Sequence, residues 1–245
     1  LTRNASAAAP IRVCRKVTDL GDVRAAVVNS GNANAETGEQ GFADALGKCE
    51  RTAAALGLRT EQVAVAETGT IGVPLPVDAV LVGIAEAASG LKAEGGMDFS
   101  QAILTTDRWP KSCTLRAGGV TLSAQAKGAG MIEPNMATML AYIFTDARID
   151  APALDRMLRA AAHVSFNMLS IDTDTSTSDT CAILANGLAG VVDIRGIEDV
   201  HERAIAASLA LNIARRLLLE RGQITTIEGL VAIATACEPT YPWKE

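Results

Sequence analysis

The segment most informative about this chain is residues 127–140, with the sequence KGAGMIEPNMATML. Its glycine-rich first part leads into an apolar run that opens with Thr138. A threonine hydroxyl is a weak nucleophile, but cleavage of the peptide bond before Thr138 would free an α-amine, which titrates near neutrality and serves as general base. The segment is thus compatible with a self-cleavage site that produces an N-terminal threonine nucleophile. From these residues alone, a glycine loop that leads into a buried strand is the favoured interpretation, and the choice depends on the segments that accompany this one.

Four other segments accompany this one along the chain. They are VVNSGNANA (27–35) with TGEQG (37–41); ETGTIGVPLP (67–76); LTTD (104–107) with PK (110–111); and SFN (165–167) with DTDTSTSDT (172–180) and ANG (185–187). Together with residues 127–140 they resemble the ornithine acetyltransferase family of arginine biosynthesis, also called glutamate N-acetyltransferase. One such match is a weak signal, whereas five in the same order are specific.

The resemblance implies an acyl transfer in two steps. Family members cut themselves at the bond that corresponds to Ala137–Thr138, which divides this chain into an α part, 1–137, and a β part, 138–245. Thr138 then takes an acetyl group from N-acetylornithine and passes it to glutamate. The family's oxyanion hole falls on Thr68 and Gly69, where a glycine N–H approaches a ligand without an intervening Cβ. From the residues alone, these two also read as a turn after a strand over 62–66.

The same resemblance implies the substrate contacts. They fall on Thr105, with Thr106 as the neighbouring alternative, and on Lys127, whose ammonium would hold a substrate carboxylate. The alternative for Lys127 is a solvated surface lysine, and Lys111 has no stronger claim than that. The resemblance implies no resident cofactor and leaves acetyl-CoA open as a co-substrate. It also implies assembly into a heterotetramer of two α and two β chains.

Composition limits the classes of function. With 245 residues, of which 49% are hydrophobic, the chain can bury a substantial core in one or two domains. A net charge of -6 without a basic run argues against a nucleic-acid partner, and no apolar segment reaches the length of a membrane span. Five cysteines without a C-x-x-C pair favour buried thiols in a reducing, cytoplasmic compartment over disulfides or zinc.

Histidine and acidic residues also bear on the mechanism. His163 and His201 are the only histidines, so a Ser-His-Asp triad or a histidine-rich metal site is hard to assemble. The acidic run 172–179 lacks the central glycine and terminal glutamate of an EF-hand. We therefore expect no metal, and we interpret this run as a strand edge and turn lined with hydroxyls.

The element order predicts an α/β fold. We expect strands over 23–28, 62–66 and 139–144, a hairpin over 115–126, and helices over about 37–56, 77–88, 99–104 and 150–164. Thr37 and Gln40 suggest a capping box, Gly57 a helix end, and Asp150 a helix cap. The resemblance adds layered sheets between helices, in an N-terminal-nucleophile-like, self-processing acyltransferase fold.

The sequence also departs from the family pattern. We expect a fragment, because the family's first few dozen residues and its remaining β-chain domain are not recognisable here. Gln223 stands where the family has a substrate-binding glutamate, which would weaken the hold on an α-ammonium. Two alternatives therefore stay open: a related N-terminal-nucleophile hydrolase or aminopeptidase, and an inactive truncated remnant. On this interpretation the 245-residue chain alone has little or no transferase activity.

Overall fold

A computed structural model describes residues 1–117, 120–133, 139–163 and 165–189, with only the backbone of Leu115 and Ala117. The helices in this part of the chain are α1 Ala9–Lys16, α2 Gly38–Leu56, α3 Val77–Ser89, α4 Gly96–Ala102 and α5 Ala151–His163. The strands are β1 Ala25–Asn32, β2 Val63–Thr70, β3 Lys111–Ala117, β4 Val120–Lys127, β5 Leu140–Thr145 and β6 Thr180–Ala185.

The strands form two sheets. Strands β1 and β2 pair in parallel, with Ala25 opposite Val63 and Gly31 opposite Gly69. The second sheet has the order β3-β4-β5-β6, in which β5 and β6 are parallel and the other neighbours are antiparallel. Helix α5 lies between β5 and β6 in the sequence, as a parallel crossover requires.

Alternation along β2 directs its side chains to two different layers. Val63 and Val65 belong to the apolar cluster beneath α1 and α2, whereas Ala66 belongs to a cluster with Leu140 and Tyr142 of β5. Successive side chains of a strand point to opposite faces. Thr68 therefore points toward the second sheet.

The second sheet repeats this division. Ala124 and Ala126 of β4, with Ala141 and Ile143 of β5, pack into a cluster that includes Ala162 of α5. The intervening residues of β5 face β2 instead. The described part of the chain thus has four layers, helices, sheet, sheet and helix, which confirms the predicted α/β fold with sheets between helices.

Several predicted elements need correction. Strands β1 and β2 both run past the predicted ends, so Thr68 and Gly69 lie within β2 and the reading of a turn there is wrong. Helix α4 begins at Gly96 and ends at Ala102, earlier than expected. The run 172–179 precedes β6, which begins only at Thr180.

Of the predicted helix ends, two are confirmed and one is wrong. Gly57 ends α2 in the left-handed conformation at φ 68°, as predicted. Asp150 Oδ1 accepts the Ala153 N–H at 2.8 Å, which confirms the predicted cap of α5. Thr37 makes no side-chain cap; its hydroxyl donates to Asn34 Oδ1 at 2.6 Å, because Asn34 turns toward the helix start. The predicted capping box is therefore wrong.

Gly69 stands where β1 and β2 come unusually close. Its φ is +132°, and a Cβ at this position would lie 2.3 Å from the carbonyl carbon of Gly31. No side chain fits at that separation, so a glycine is required here for packing as well as for backbone conformation. The pair Gly31–Gly69 brings the ends of both strands together beside Thr68.

Candidate active site

Lys127 is the centre of a polar cluster between the two sheets. It is 1% exposed, and its ammonium donates to Thr68 Oγ1 at 2.9 Å and to Thr105 Oγ1 at 2.8 Å. These three residues come from the end of β4, the end of β2 and the loop after α4. Burial lowers the pKa of Lys127, and nearby Asp107 opposes this effect. The structure therefore makes Lys127 a buried cation, and the surface-lysine alternative is wrong.

The hydroxyls around Lys127 have a defined orientation. An ammonium can only donate, so the oxygens of Thr68 and Thr105 both act as acceptors toward it. Their own O–H hydrogens must then point to other acceptors. Two of the three N–H donors of Lys127 are used, and no other described residue accepts the third. The cluster thus offers donors to a ligand oxygen.

Asp107 connects the Thr105 loop to the end of β4. Its Oδ1 accepts the Gly128 N–H at 2.7 Å and pairs with the Lys111 ammonium, and the side chains of Asp107 and Lys111 are both buried. Burial alone would raise the pKa of Asp107, but the bonds from Lys111 and Gly128 outweigh it and lower that pKa. Lys111 is therefore a buried structural cation, and its interpretation as a solvated lysine is wrong.

A second buried ion pair lies behind Thr68. Lys48 of α2 and Glu67 of β2 are both fully buried, with Nζ 3.3 Å from Oε1. Asn34 Nδ2 donates to the same oxygen at 3.4 Å, and Lys48 also donates to Asn29. Burial raises the pKa of Glu67 and lowers that of Lys48. Because Glu67 precedes Thr68, this network fixes the strand at the point where it enters the Lys127 cluster.

Asp179 lies on the other side of the cluster, directly before β6. It is 0% exposed, and its Oδ1 accepts the N–H of Met139 at 3.0 Å. Thr180 N–H donates in turn to the Met139 carbonyl at 3.0 Å. Burial raises the pKa of Asp179 to about 8, although the Met139 bond and the charge of Lys127 oppose this shift. Met139 is therefore held on both sides at the start of β5.

The charges of this region favour an anionic ligand. At neutral pH the buried groups nearest the cluster are the cations Lys127 and Lys111 and the anion Asp107, with Asp179 uncharged because its pKa is about 8. Their sum is one positive charge that is largely removed from water. A ligand carboxylate complements such a charge, and a buried cation without a partner is unfavourable.

The structure brings most of the predicted site residues together. Thr68, Thr105 and Lys127 are in direct contact, and Gly69 follows Thr68 on the same strand. Thr106 is exposed, and the contact to Lys127 comes from Thr105. Three residues of the sequence analysis lie outside the described residues. They are the predicted nucleophile Thr138, Ala137 on the other side of the predicted cleavage site, and Gln223.

The sequence interpretation missed Asp107, Lys111, Asp179 and the pair Lys48–Glu67. All except Lys48 lie within the matched segments, but no spacing rule distinguishes any of them from surface charges. The acidic run around Asp172 has a structural use, since its carboxylate accepts the N–H groups of Met131 and Ile132 at 2.6 and 2.7 Å. None of the helices in the described ranges is long and apolar enough to cross a bilayer.

Comparisons with known proteins agree on one family. The model of the ArgJ family matches residues 1–217. The arginine biosynthesis bifunctional protein ArgJ of Symbiobacterium thermophilum is 52% identical over 213 residues, which are 85% of this chain and 53% of the relative. The protein of that name from Geobacter sulfurreducens is 44% identical over 230 residues, 92% of this chain and 58% of the relative. The chain thus spans somewhat more than half the length of these two curated relatives.

Among solved structures, the chain is similar to an ornithine acetyltransferase from Mycobacterium tuberculosis, which was crystallised with ornithine. The two are 36% identical, with a TM-score of 0.48 over 55% of this chain and 74% of that chain. The match to the family model covers most of the chain and includes every described residue. The chain therefore belongs to the ArgJ family.

Proposed function

We propose that the complete protein is an acetyltransferase of arginine biosynthesis, which moves an acetyl group from N-acetylornithine to glutamate. The acetyl group travels on Thr138, after the chain cleaves itself between Ala137 and Thr138. The observation that carries this proposal is the buried ammonium of Lys127 in contact with the hydroxyls of Thr68 and Thr105. The names of the relatives, which refer to arginine biosynthesis, support the proposed pathway.

Each step balances without a metal or a redox cofactor. The Thr138 hydroxyl attacks the acetyl carbonyl of N-acetylornithine, its proton passes to the Thr138 α-amine, and the amide C–N bond breaks as ornithine takes that proton and leaves. The amine of glutamate then attacks the acetyl ester. This second step forms N-acetylglutamate and restores the threonine hydroxyl.

The polar cluster supplies the binding and charge stabilisation that these steps need. Lys127 holds the substrate carboxylate through its remaining N–H and its charge. Thr68 accepts from Lys127, so its O–H is directed elsewhere and can donate to the oxyanion, together with the Gly69 region of the strand. Thr105 contributes a second hydroxyl to the same pocket.

The sheet explains how the two halves stay together after cleavage. Strand β4 belongs to the part before the proposed cut and β5 to the part after it, and the two pair from Leu122–Thr145 to Lys127–Leu140. Backbone hydrogen bonds and the shared core therefore cross the cut. We infer that the cleaved chains remain associated, and we propose their assembly as two α and two β chains.

Lys127→Met tests the role of the cluster in the complete protein. We expect kcat/KM for N-acetylornithine to fall at least about 30-fold, since removal of one partner of a buried charge pair costs about 2–5 kcal/mol. Transfer of a labelled acetyl group to glutamate measures the effect. Lys92→Met is the matched control, because Lys92 is exposed and pairs with Asp98 at the surface.

The same assay separates the alternatives. An acetyl group released to water at the same rate with and without glutamate would indicate a hydrolase. Wild-type transfer with an unchanged kcat/KM in the Lys127→Met variant would contradict the binding role of Lys127. Absence of any transfer by the complete wild-type protein would contradict the proposed reaction itself.

A further inference from the structure

The Asp179 side chain adds one hydrogen bond to the pairing between the parallel strands β5 and β6. Strand β6 begins at Thr180 opposite Leu140, and one residue earlier the carboxylate of Asp179 takes the Met139 N–H at 3.0 Å. The backbone carbonyl of Asp179 accepts the Thr2 N–H at 2.9 Å, so the residue is also held by the N-terminal segment. The Asp179 carboxyl group thus fixes the backbone of Met139, the residue directly before β5.

The second oxygen of this carboxyl group is unusual. Asp179 Oδ2 is buried and makes no hydrogen bond of normal geometry within the described part of the chain. The nearby Ser176 side chain, which lowers the pKa of Asp179, offsets this burial only in part. A carboxylate in such a place is unfavourable, because a buried charge needs partners on both oxygens. Consistent with this, burial raises the pKa of Asp179 to about 8. At neutral pH the residue is therefore a neutral acid.

The charge that acts on Asp179 comes from Lys127, which faces it from β4. On β6 itself, burial raises the pKa of the Cys181 thiol to about 12, so this neighbour is uncharged. The charge of Asp107 also raises the pKa of Lys127, and the charge of Lys111 lowers it. An ionised Asp179 would add a second anion near Lys127 and remove the net positive charge there.

We propose that Asp179 is a positioning residue of the acyl-transfer site: it fixes Met139, and in its neutral form it leaves Lys127 as the cation that meets the substrate carboxylate. This inference rests on the proposed function, because it assigns Lys127 to a carboxylate. The covalent bond between Thr138 and Met139 makes the first role relevant to the nucleophile. Ionisation of Asp179 competes with the substrate for Lys127 and raises KM.

Asp179→Asn is the most direct test, because the amide keeps an acceptor oxygen for Met139 and cannot ionise. In the complete wild-type protein we expect KM for N-acetylornithine to rise at least about fivefold from pH 7 to pH 9. The reason is that one new unit charge close to a bound ion weakens its binding by at least about this factor. In Asp179→Asn the rise should stay below about twofold. A structural role alone would change folding without changing this pH profile.

A second measurement does not need turnover. The free energy of unfolding of the wild type should fall relative to Asp179→Asn as pH increases from about 4 to about 8, because folded Asp179 keeps a proton that the unfolded chain has lost. Calorimetric binding of N-acetylornithine from pH 7 to pH 9 gives an affinity independent of catalysis. Loss of transfer in the wild type would overturn the proposed function, whereas these two profiles test Asp179.

Two further variants complete the experiment. Asp179→Ala removes the bond to Met139, so kcat should fall at least about tenfold below that of Asp179→Asn. Asp155→Asn is the control, since Asp155 is exposed on α5 and pairs with Arg159. Should Asp179→Ala fail to fold, Asp179→Asn carries the test. A rise in KM that persists in Asp179→Asn, or equal kcat in all variants, would overturn the inference.

Discussion

Replacement of Thr138 by alanine in the complete protein will abolish cleavage of the chain. In the proposed mechanism the Thr138 hydroxyl attacks the carbonyl of Ala137, the peptide becomes an ester, and water hydrolyses that ester. Alanine has no hydroxyl, so neither step can begin, and no free α-amine forms to act as general base. Mass spectrometry of the denatured wild type should show two chains, one of which begins with Thr138. The alanine variant should remain one chain.

A serine at the same position is the matched control. Thr138→Ser keeps the hydroxyl and should still cleave, although more slowly, because the γ-methyl group no longer restricts the side chain. Acetyl transfer should follow cleavage in all three proteins. Two chains in purified Thr138→Ala would exclude the mechanism, because another residue or a contaminating protease would then make the cut.

Thr68→Ala is expected to lower kcat for acetyl transfer about 10²-fold or more. Its hydroxyl accepts from Lys127 at 2.9 Å, so the hydroxyl hydrogen is directed to another acceptor, which we assign to the oxyanion of the tetrahedral intermediate. Loss of one preorganised donor costs about 10²–10³ in kcat in related chemistry. Steady-state transfer from N-acetylornithine to glutamate measures the loss.

Two variants show whether this loss is specific. Thr68→Ser retains the hydroxyl and should recover most of the rate. Thr121→Ala removes a threonine from the opposite end of β4 and should change kcat less than about twofold, as is usual away from the chemistry. An unchanged kcat in Thr68→Ala would contradict the oxyanion role, and a matched loss of Tm would indicate a structural role instead.

The elements that the sequence predicted well have local causes. Gly57 ends α2 because a left-handed residue follows the last turn, and Asp150 caps α5 through its own carboxylate. The motif residues Thr68, Thr105 and Lys127 were also found in advance, since they lie in matched segments. Their mutual contacts, however, depend on how the two sheets and the loop after α4 come together, which no local pattern encodes.

Helix α1 could not be predicted from its local sequence. Its eight residues, Ala9–Lys16, begin with a proline in the first turn and are too short to be stable alone. The helix is stabilised by burial of Val13 and Cys14 in the cluster beneath α2 and β2. Tertiary contact therefore decides this element, and the sequence analysis did not predict it.

The buried charged residues could not be predicted from the sequence either. Lysine is normally solvated, so the sequence offers no reason to bury Lys48 or Lys111. Each lies inside only because a carboxylate from another element, Glu67 or Asp107, meets it there. Asp179 is a similar case, since its role depends on Met139, which lies just before the neighbouring strand β5. Such pairs become visible only when the sheets are assembled.

Acetylation of Thr138 is directly measurable in the first half of the proposed reaction. Incubation of the complete, cleaved protein with N-acetylornithine and without glutamate should add one acetyl group to the chain that begins with Thr138, located on that residue by fragmentation. Addition of glutamate should remove the group and yield N-acetylglutamate. A chain that remains unmodified while transfer proceeds, or an acetyl group on a different residue that turns over at the catalytic rate, would contradict transfer through Thr138.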